Sequence, residues 1–273
     1  VTVFDMDGPT ALITGGSSGI GFAIATDLVK LNFNVILLAR RKELLEKAKA
    51  ELEGIAPSGK VGSSDQKIAT VSADVSSVHS LKIAEENLRR SFDRIDLLVN
   101  CAGVVKPAKL DDLSDEEILN QIQINLLGMM LATRQFLKYI PENGSIVNFS
   151  SALGLFGLAG YTAYSASKFG VVGFSDALRR ELLSKRISVH VVCPPDVDTP
   201  QFKKEHEDMP EWMRTKERPK ALPASLVSRR VISGVKHGKF LILPDISTRF
   251  LDFMLRFFPR LSRWILDGMF PKP

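Results

Sequence analysis

Short β-branched or aliphatic runs alternate with longer amphipathic runs along most of this chain, and no other feature narrows its fold as much. The strand-like runs are TALIT (10–14), NVILLA (34–39), KIATVS (67–72), IDLLVN (95–100), SIVNFS (145–150) and ISVHVV (187–192), with FLIL (240–243) as a seventh. Helix-like segments fall near 19–31, 42–54, 77–93, 114–139 and 161–185. That rhythm predicts an α/β fold: a doubly wound, Rossmann-type parallel sheet of six to seven strands with helices on both faces. Ligands of such a sheet bind beyond the C-terminal ends of its strands. At 273 residues and 45% hydrophobic content the chain is able to bury a full core. No linker divides it before about residue 195, so residues 1–247 are expected to form a single catalytic domain and 248–273 a tail. The stretch Pro194–Pro223 is rich in proline and charge and is expected to pass over the face that carries the site.

The bulk numbers exclude several classes. A formal charge of +5 is mildly basic, and no basic run or aromatic–basic interleaving accompanies it, so no nucleic-acid partner is expected. Two cysteines, Cys101 and Cys193, are too few for a disulfide framework and fit a reducing, cytoplasmic compartment. They follow the fourth and sixth strands, which another strand separates in the usual doubly wound order, so a bridge between them is not expected. The four histidines form no ligand-spaced pair, and no metal site is expected. No charged-then-apolar leader opens the chain, and the absence of an initiator methionine leaves residues before Val1 open. The longest uncharged stretch, 143–167, is interrupted by Asn148, Ser150 and Ser151 and reads as buried strand and loop rather than a membrane span.

Thr14-Gly15-Gly16-Ser17-Ser18-Gly19-Ile20-Gly21 follows the first strand and opens the first helix. Glycines at 15, 19 and 21 allow a tight turn, close approach to a pyrophosphate and packing of helix on strand, with the helix N-terminus facing negative charge. No lysine follows the last glycine, as a phosphate-binding Walker loop would need. A dinucleotide is therefore expected here. The second strand ends Ala39-Arg40-Arg41-Lys42, where a cofactor lacking a 2′-phosphate would want a carboxylate. Cations favour a 2′-phosphate, with Arg40 and Arg41 beside it and Ser17 or Ser18 as nearby donors. NADPH is the expected cofactor.

Tyr164 and Lys168 are four residues apart and share one helical face. A free phenol, with a pKa near 10, is a poor acid–base group at neutral pH, and a neighbouring ammonium is expected to lower it. Tyr161 lacks such a partner, because Ser165 stands four residues on. Ser151 lies thirteen residues before Tyr164, just past the fifth strand, where a hydroxyl can hold a carbonyl oxygen. Asn100 ends the fourth strand, and Asn125 falls inside the next long helix, where its amide is expected to hold a water on a proton path from the lysine.

With these residues the chain resembles the short-chain dehydrogenase/reductase family over roughly residues 10–200. The family's motifs stand in order: the glycine turn at 14–21, Asn-x-Ala-Gly at 100–103, then Asn125, Ser151, Tyr164 and Lys168. The resemblance implies that Tyr164 gives the proton in carbonyl reduction and that Ser151 orients the substrate oxygen. It assigns Lys168 to the nicotinamide ribose and to the Tyr164 pKa, and Asn125 to a water relay. It further implies cofactor contacts from Ile20, Asp74, Val75, Ala102, Gly103, Pro194 and Thr199, while Asn100 steadies the sheet. Cys101 departs from the family, which commonly has a second asparagine there.

Within the family, the run Pro194–Phe202 and the stretch Thr162–Phe169 resemble the branch that reduces 3-ketodihydrosphingosine to dihydrosphingosine. The implied substrate is a lipid-like ketone with an amine beside the carbonyl, and Asp196 or Asp198 is the candidate carboxylate for that amine. Other carbonyls (a 3-oxoacyl thioester, a steroid, another long-chain ketone) and a non-catalytic NADP(H)-binding role stand as alternatives. In the tail, Arg249, Asp252, Arg256, Arg260, Arg263 and Asp267 make one polar stripe on an otherwise apolar helix that Pro259 kinks or divides. Its +2 charge suits peripheral contact with a membrane surface, the cytosolic face of the endoplasmic reticulum if the cell is eukaryotic. A subunit interface, or a lid over the pocket, is the other reading of that stripe. A homo-oligomer, dimer or tetramer, is expected.

Overall fold

The computed structural model describes residues 8–56, 66–214 and 220–269. Its first half is β1 (Thr10–Thr14), α1 (Gly19–Lys30), β2 (Asn34–Ala39), α2 (Lys42–Ile55), β3 (Ile68–Ser72), α3 (Val78–Leu88) and β4 (Leu97–Asn100). The second half continues with α4 (Asp115–Ile122), α5 (Met129–Phe136), β5 (Ser145–Phe149), α6 (Thr162–Glu181) and β6 (Ser188–Val192). A shorter group follows: β7 (Val197–Asp198), α7 (Pro200–Asp208), β8 (Leu222–Pro223), α8 (Ala224–Lys236) and β9 (Leu241–Ile242). Two tail helices close it, α9 (Ile246–Phe257) and α10 (Pro259–Met269).

Seven strands form one sheet in the order β3-β2-β1-β4-β5-β6-β9, every neighbouring pair parallel. The expected doubly wound architecture is therefore present. The inner strands are mostly apolar because they are buried on both sides, and polar residues within them such as Asn100 and Asn148 are buried and hydrogen-bonded to each other. Along β2, Val35 and Leu37 point into the core under α1, α2 and α8, while Ile36 and Leu38 point into the core under α3, α5 and α6. Burying each such side chain is worth roughly 1.5–3 kcal/mol. The connection from β3 to β4 crosses β1 and β2, so the winding reverses between β1 and β4 and opens a crevice at their C-terminal ends.

Four local features differ from expectation. The third helix stops at Leu88 rather than 93. The expected helix 114–139 is not uniform: α4 passes into a π-helical turn, Gln123–Gly128, before α5. The excursion after β6 holds α7 and a small parallel pair, β7 with β8; residues 215–219 lie outside the described part. The tail helix starts at Ile246, capped by Asp245, rather than at Thr248, and Pro259 divides it, one of the two outcomes expected of that proline.

Candidate active site

The turn after β1 supplies the first wall of the site. Gly15 has φ +70 and Gly19 has φ +57, a region that disfavours any residue with a Cβ. A Cβ at Gly15 would lie 2.8 Å from the Ala102 nitrogen, and one at Gly21 would lie 2.5 Å from the Gly15 oxygen. The turn is thus pressed flat against β4 and α1, leaving the helix N-terminus open. Ser18 sits at that N-terminus without a side-chain cap, and no acidic residue occupies the first turn. Free N–H groups and the helix dipole make this end a receptor for an anion.

Gly15, Ser17, Ser18, Gly19, Ile20 and Gly21 line a cleft of about 1390 Å3 with Arg40, Arg41, Asp74, Val75, Ala102 and Gly103. Pro194, Thr199, Ser151, Tyr164 and Lys168 line it from the other side. The Asp74 carboxylate accepts from the Ser76 amide and hydroxyl, and Thr199 caps α7 by accepting from the Phe202 amide. The uncapped helix end, the flattened glycine turn and the two arginines fit a dinucleotide phosphate in charge and in room.

Two of the expected residues lie behind the cleft rather than on its wall. Asn100 Nδ2 donates to Thr133 Oγ1 and to Asn148 Oδ1, both at 2.9 Å, tying β4 to α5 and β5. Asn125 Oδ1 accepts from the Val104 amide at 2.8 Å, and its Nδ2 donates to the Val104 carbonyl at 2.9 Å and to Ser167 Oγ at 3.1 Å. The π-helical turn lets this buried amide act as a clamp on the loop after β4. A Cβ at Gly103 would lie 3.3 Å from Asn125 Oδ1 and 3.7 Å from Lys168 Nζ, so both groups border that glycine.

Helix α6 carries Tyr164 and Lys168 on its buried side. Lys168 Nζ donates to the Phe149 carbonyl at 3.0 Å and stands 5.5 Å from the centre of the Tyr164 ring. Burial lowers the Lys168 pKa to about 8. Burial also raises that of Tyr164, helped by the negative charges of Glu205 and Asp196, against a hydrogen bond from Ser151 that lowers it. This corrects the expectation of a phenol depressed by its lysine. Loss of solvation and two carboxylates dominate, and the phenol is held protonated, the state a proton donor needs. Ser151 Oγ accepts from the Leu153 amide, which fixes the hydroxyl at the start of a short turn. Burial lifts the Cys101 thiol to about 12, so it stays neutral beside Lys168.

Sequence reasoning missed Glu205. It lies on α7 within a run of charged residues, and no spacing distinguishes it from its neighbours. In the fold, Tyr161 Oη donates to Glu205 Oε1 at 2.6 Å, and the Tyr161 and Tyr164 rings meet edge-on at 6.2 Å. Asp196 also lines the cleft, whereas Asp198 is 62% exposed and faces Lys203 at 3.8 Å. Of the two expected aspartates, only Asp196 reaches the site. The tail, too, reaches it: Phe250, Leu251, Met254, Ile265 and Leu266 line the cleft.

A parallel doubly wound sheet with serine, tyrosine and lysine gathered beside a glycine-turn dinucleotide cleft defines a nicotinamide-dependent oxidoreductase. The family description "short chain dehydrogenase" matches residues 9–210, and the chain belongs to that family. The 3-ketodihydrosphingosine reductase of Bos taurus is 35% identical over 243 residues, spanning 86% of this chain and 70% of that one. The 3-oxoacyl-acyl-carrier-protein reductase of Bos taurus is 36% identical over 199 residues, spanning 72% of this chain and 79% of that one. Among solved structures, an actinorhodin polyketide ketoreductase with NADPH superposes with a TM-score of 0.75 at 29% identity, covering 89% of this chain and 97% of the other.

Proposed function

We propose that the protein reduces the C3 ketone of 3-ketodihydrosphingosine to dihydrosphingosine with NADPH. The observation that carries this reading is a pair of carboxylates, Asp196 and Glu205, close enough to Tyr164 to raise its pKa. Such a pair suits a substrate whose ammonium adjoins the reacting carbonyl, and it would not suit an anionic thioester carrier. The apolar reach of Phe202, Trp212, Phe250 and Met254 along the same cleft suits the alkyl chain. The match to the bovine 3-ketodihydrosphingosine reductase spans 86% of the chain, more than the matched family region or the 3-oxoacyl relative spans.

Ser151 accepts the role of orienting the ketone oxygen, and Tyr164 Oη gives that oxygen its proton as the carbonyl becomes an alcohol. The NADPH supplies the hydride. Lys168, near neutrality in pKa, returns a proton toward the phenol, and Asn125 holds the Val104 loop that shapes this corner. Arg40 and Arg41 receive the 2′-phosphate, which favours NADPH over NADH. The rest of the reading is a cytoplasmic homo-oligomer, with one catalytic unit to residue 247 and the tail after it. Leu127 and Phe169, exposed on the π-helical turn and α6, offer a subunit contact.

Competition between the aminoketone and matched long-chain ketones without the amine, at saturating NADPH, tests the substrate. The aminoketone is expected to lead in kcat/KM by about tenfold or more, and Glu205→Gln or Asp196→Asn to erase most of that lead. Equal rates for all long-chain ketones would sink the assignment. Tyr164→Phe in the same assay is expected to lose about 100-fold or more in turnover while still binding NADPH.

A further inference from the structure

We infer that the outer face of α9 and α10 rests in the interface of an anionic lipid bilayer, with the cleft beneath it. Ile246, Phe257 and Trp264 are 81%, 66% and 74% exposed, and Phe253 and Phe258 49% each, the densest run of large apolar side chains in water among the described residues. Phe253 packs against Phe257 and Phe258 with ring centres 4.8 and 6.3 Å apart, so this is one aromatic patch rather than scattered residues. A patch of that kind marks a contact surface.

The charges around the patch select the occupant. Arg249, Arg256, Arg260 and Arg263 are exposed, against Asp252 and Asp267, a net +2. Only Arg256 has an ion-pair partner there, Asp252 at 2.8 Å, among the described residues. A second copy meeting this face about a two-fold axis would set the same positive patch against itself. Anionic headgroups instead neutralise the arginines while the aromatic rings enter the acyl boundary. At 12 and 11 residues the helices are roughly 18 and 16 Å long, too short for a hydrocarbon core of ~30 Å. Among the described residues no helix is long and apolar enough to cross a membrane. The pair therefore lies in the plane of the surface. Its opposite side, with Leu251, Met254 and Ile265, lines the catalytic cleft, so the membrane and the pocket meet across a single layer of helix. For the lipid ketone of the proposed function, that arrangement is an entry from the bilayer.

Flotation of the full chain with vesicles tests the docking. Binding is expected to phosphatidylglycerol-containing vesicles, at least fivefold weaker to pure phosphatidylcholine, and to fall about tenfold in Phe257→Ser/Trp264→Ser. Neither of these residues lines the cleft, so turnover of a short soluble ketone is expected to stay within twofold in the variant. Arg260→Glu/Arg263→Glu is expected to abolish the preference for anionic vesicles. No binding to either vesicle would overturn the inference. So would a dimer that dissociates in Phe257→Ser/Trp264→Ser, by light scattering, with vesicle binding unchanged. Vesicle binding without any preference for the aminoketone would leave the docking standing and remove the substrate assignment.

Discussion

At the scale of single residues, Lys168 shows what the site costs. Its ammonium is buried with one carbonyl partner, and its pKa falls from 10.5 to about 8. A base whose folded pKa is depressed makes the fold less stable wherever it must be charged. The cost is complete below pH 8 and disappears as pH rises through 10.5. A fall of that size corresponds to about 3 kcal/mol, offset by about 1–2 kcal/mol from the hydrogen bond to Phe149. Lys168→Met is therefore expected to abolish turnover and yet to raise unfolding stability at pH 7 by about 1–2 kcal/mol. Urea unfolding at pH 7 and pH 10.5 checks this, with the gain gone or reversed at the higher pH. A variant less stable than the parent at pH 7 would mean that the lysine is well solvated or better paired than its burial indicates.

Among the elements, the segment from α4 to α5 departs most from what its pattern predicts. The apolar spacing across 114–139 is helical throughout, and nothing in it marks a π-helical turn. The turn exists because Asn125 must face inward to hold Val104 by both its amide and its carbonyl. On the same turn Gly128 packs against Val75; a Cβ there would lie 2.8 Å from Val75 Cγ2. Asn125→Leu leaves two backbone groups and Ser167 without this partner and is expected to cost about 2–4 kcal/mol. Faster amide exchange at Val104, more than at β1 or β5, would distinguish release of the loop from global loosening. Unchanged exchange there would show that the amide is not the clamp.

For the whole molecule, the cleft joins halves that are distant in sequence: the glycine turn and Arg40 on one side, Ser151, Tyr164 and Lys168 on the other. A cofactor that bridges them stabilises the folded chain by mass action. NADPH at 100 times its Kd is expected to contribute about 2.7 kcal/mol, which raises Tm by roughly 5–10 °C for a chain of this size. NADH at the same concentration is expected to give a smaller rise, and Arg40→Asp to reverse the order of the two, because a carboxylate repels the 2′-phosphate. Thermal melts with each cofactor measure it directly. Equal shifts in the parent chain would remove the preference for NADPH.

Strand runs such as TALIT and NVILLA were legible because a strand buried on both faces is apolar on both faces along its middle, with polar residues only at its ends here. The glycine turn was legible because only glycine accepts its backbone, and Ser151, Tyr164 and Lys168 because their order and spacing are local. What the sequence left undecided depends on groups far apart along the chain. Glu205 meets Tyr161 from 44 residues away, Asp196 approaches the phenol where Asp198 does not, and the tail returns to roof the cleft. The direction of the Tyr164 pKa belongs with these. Spacing along a helix places an ammonium near a phenol, but burial and charges from other elements set the proton affinity, and only the tertiary structure brings those together.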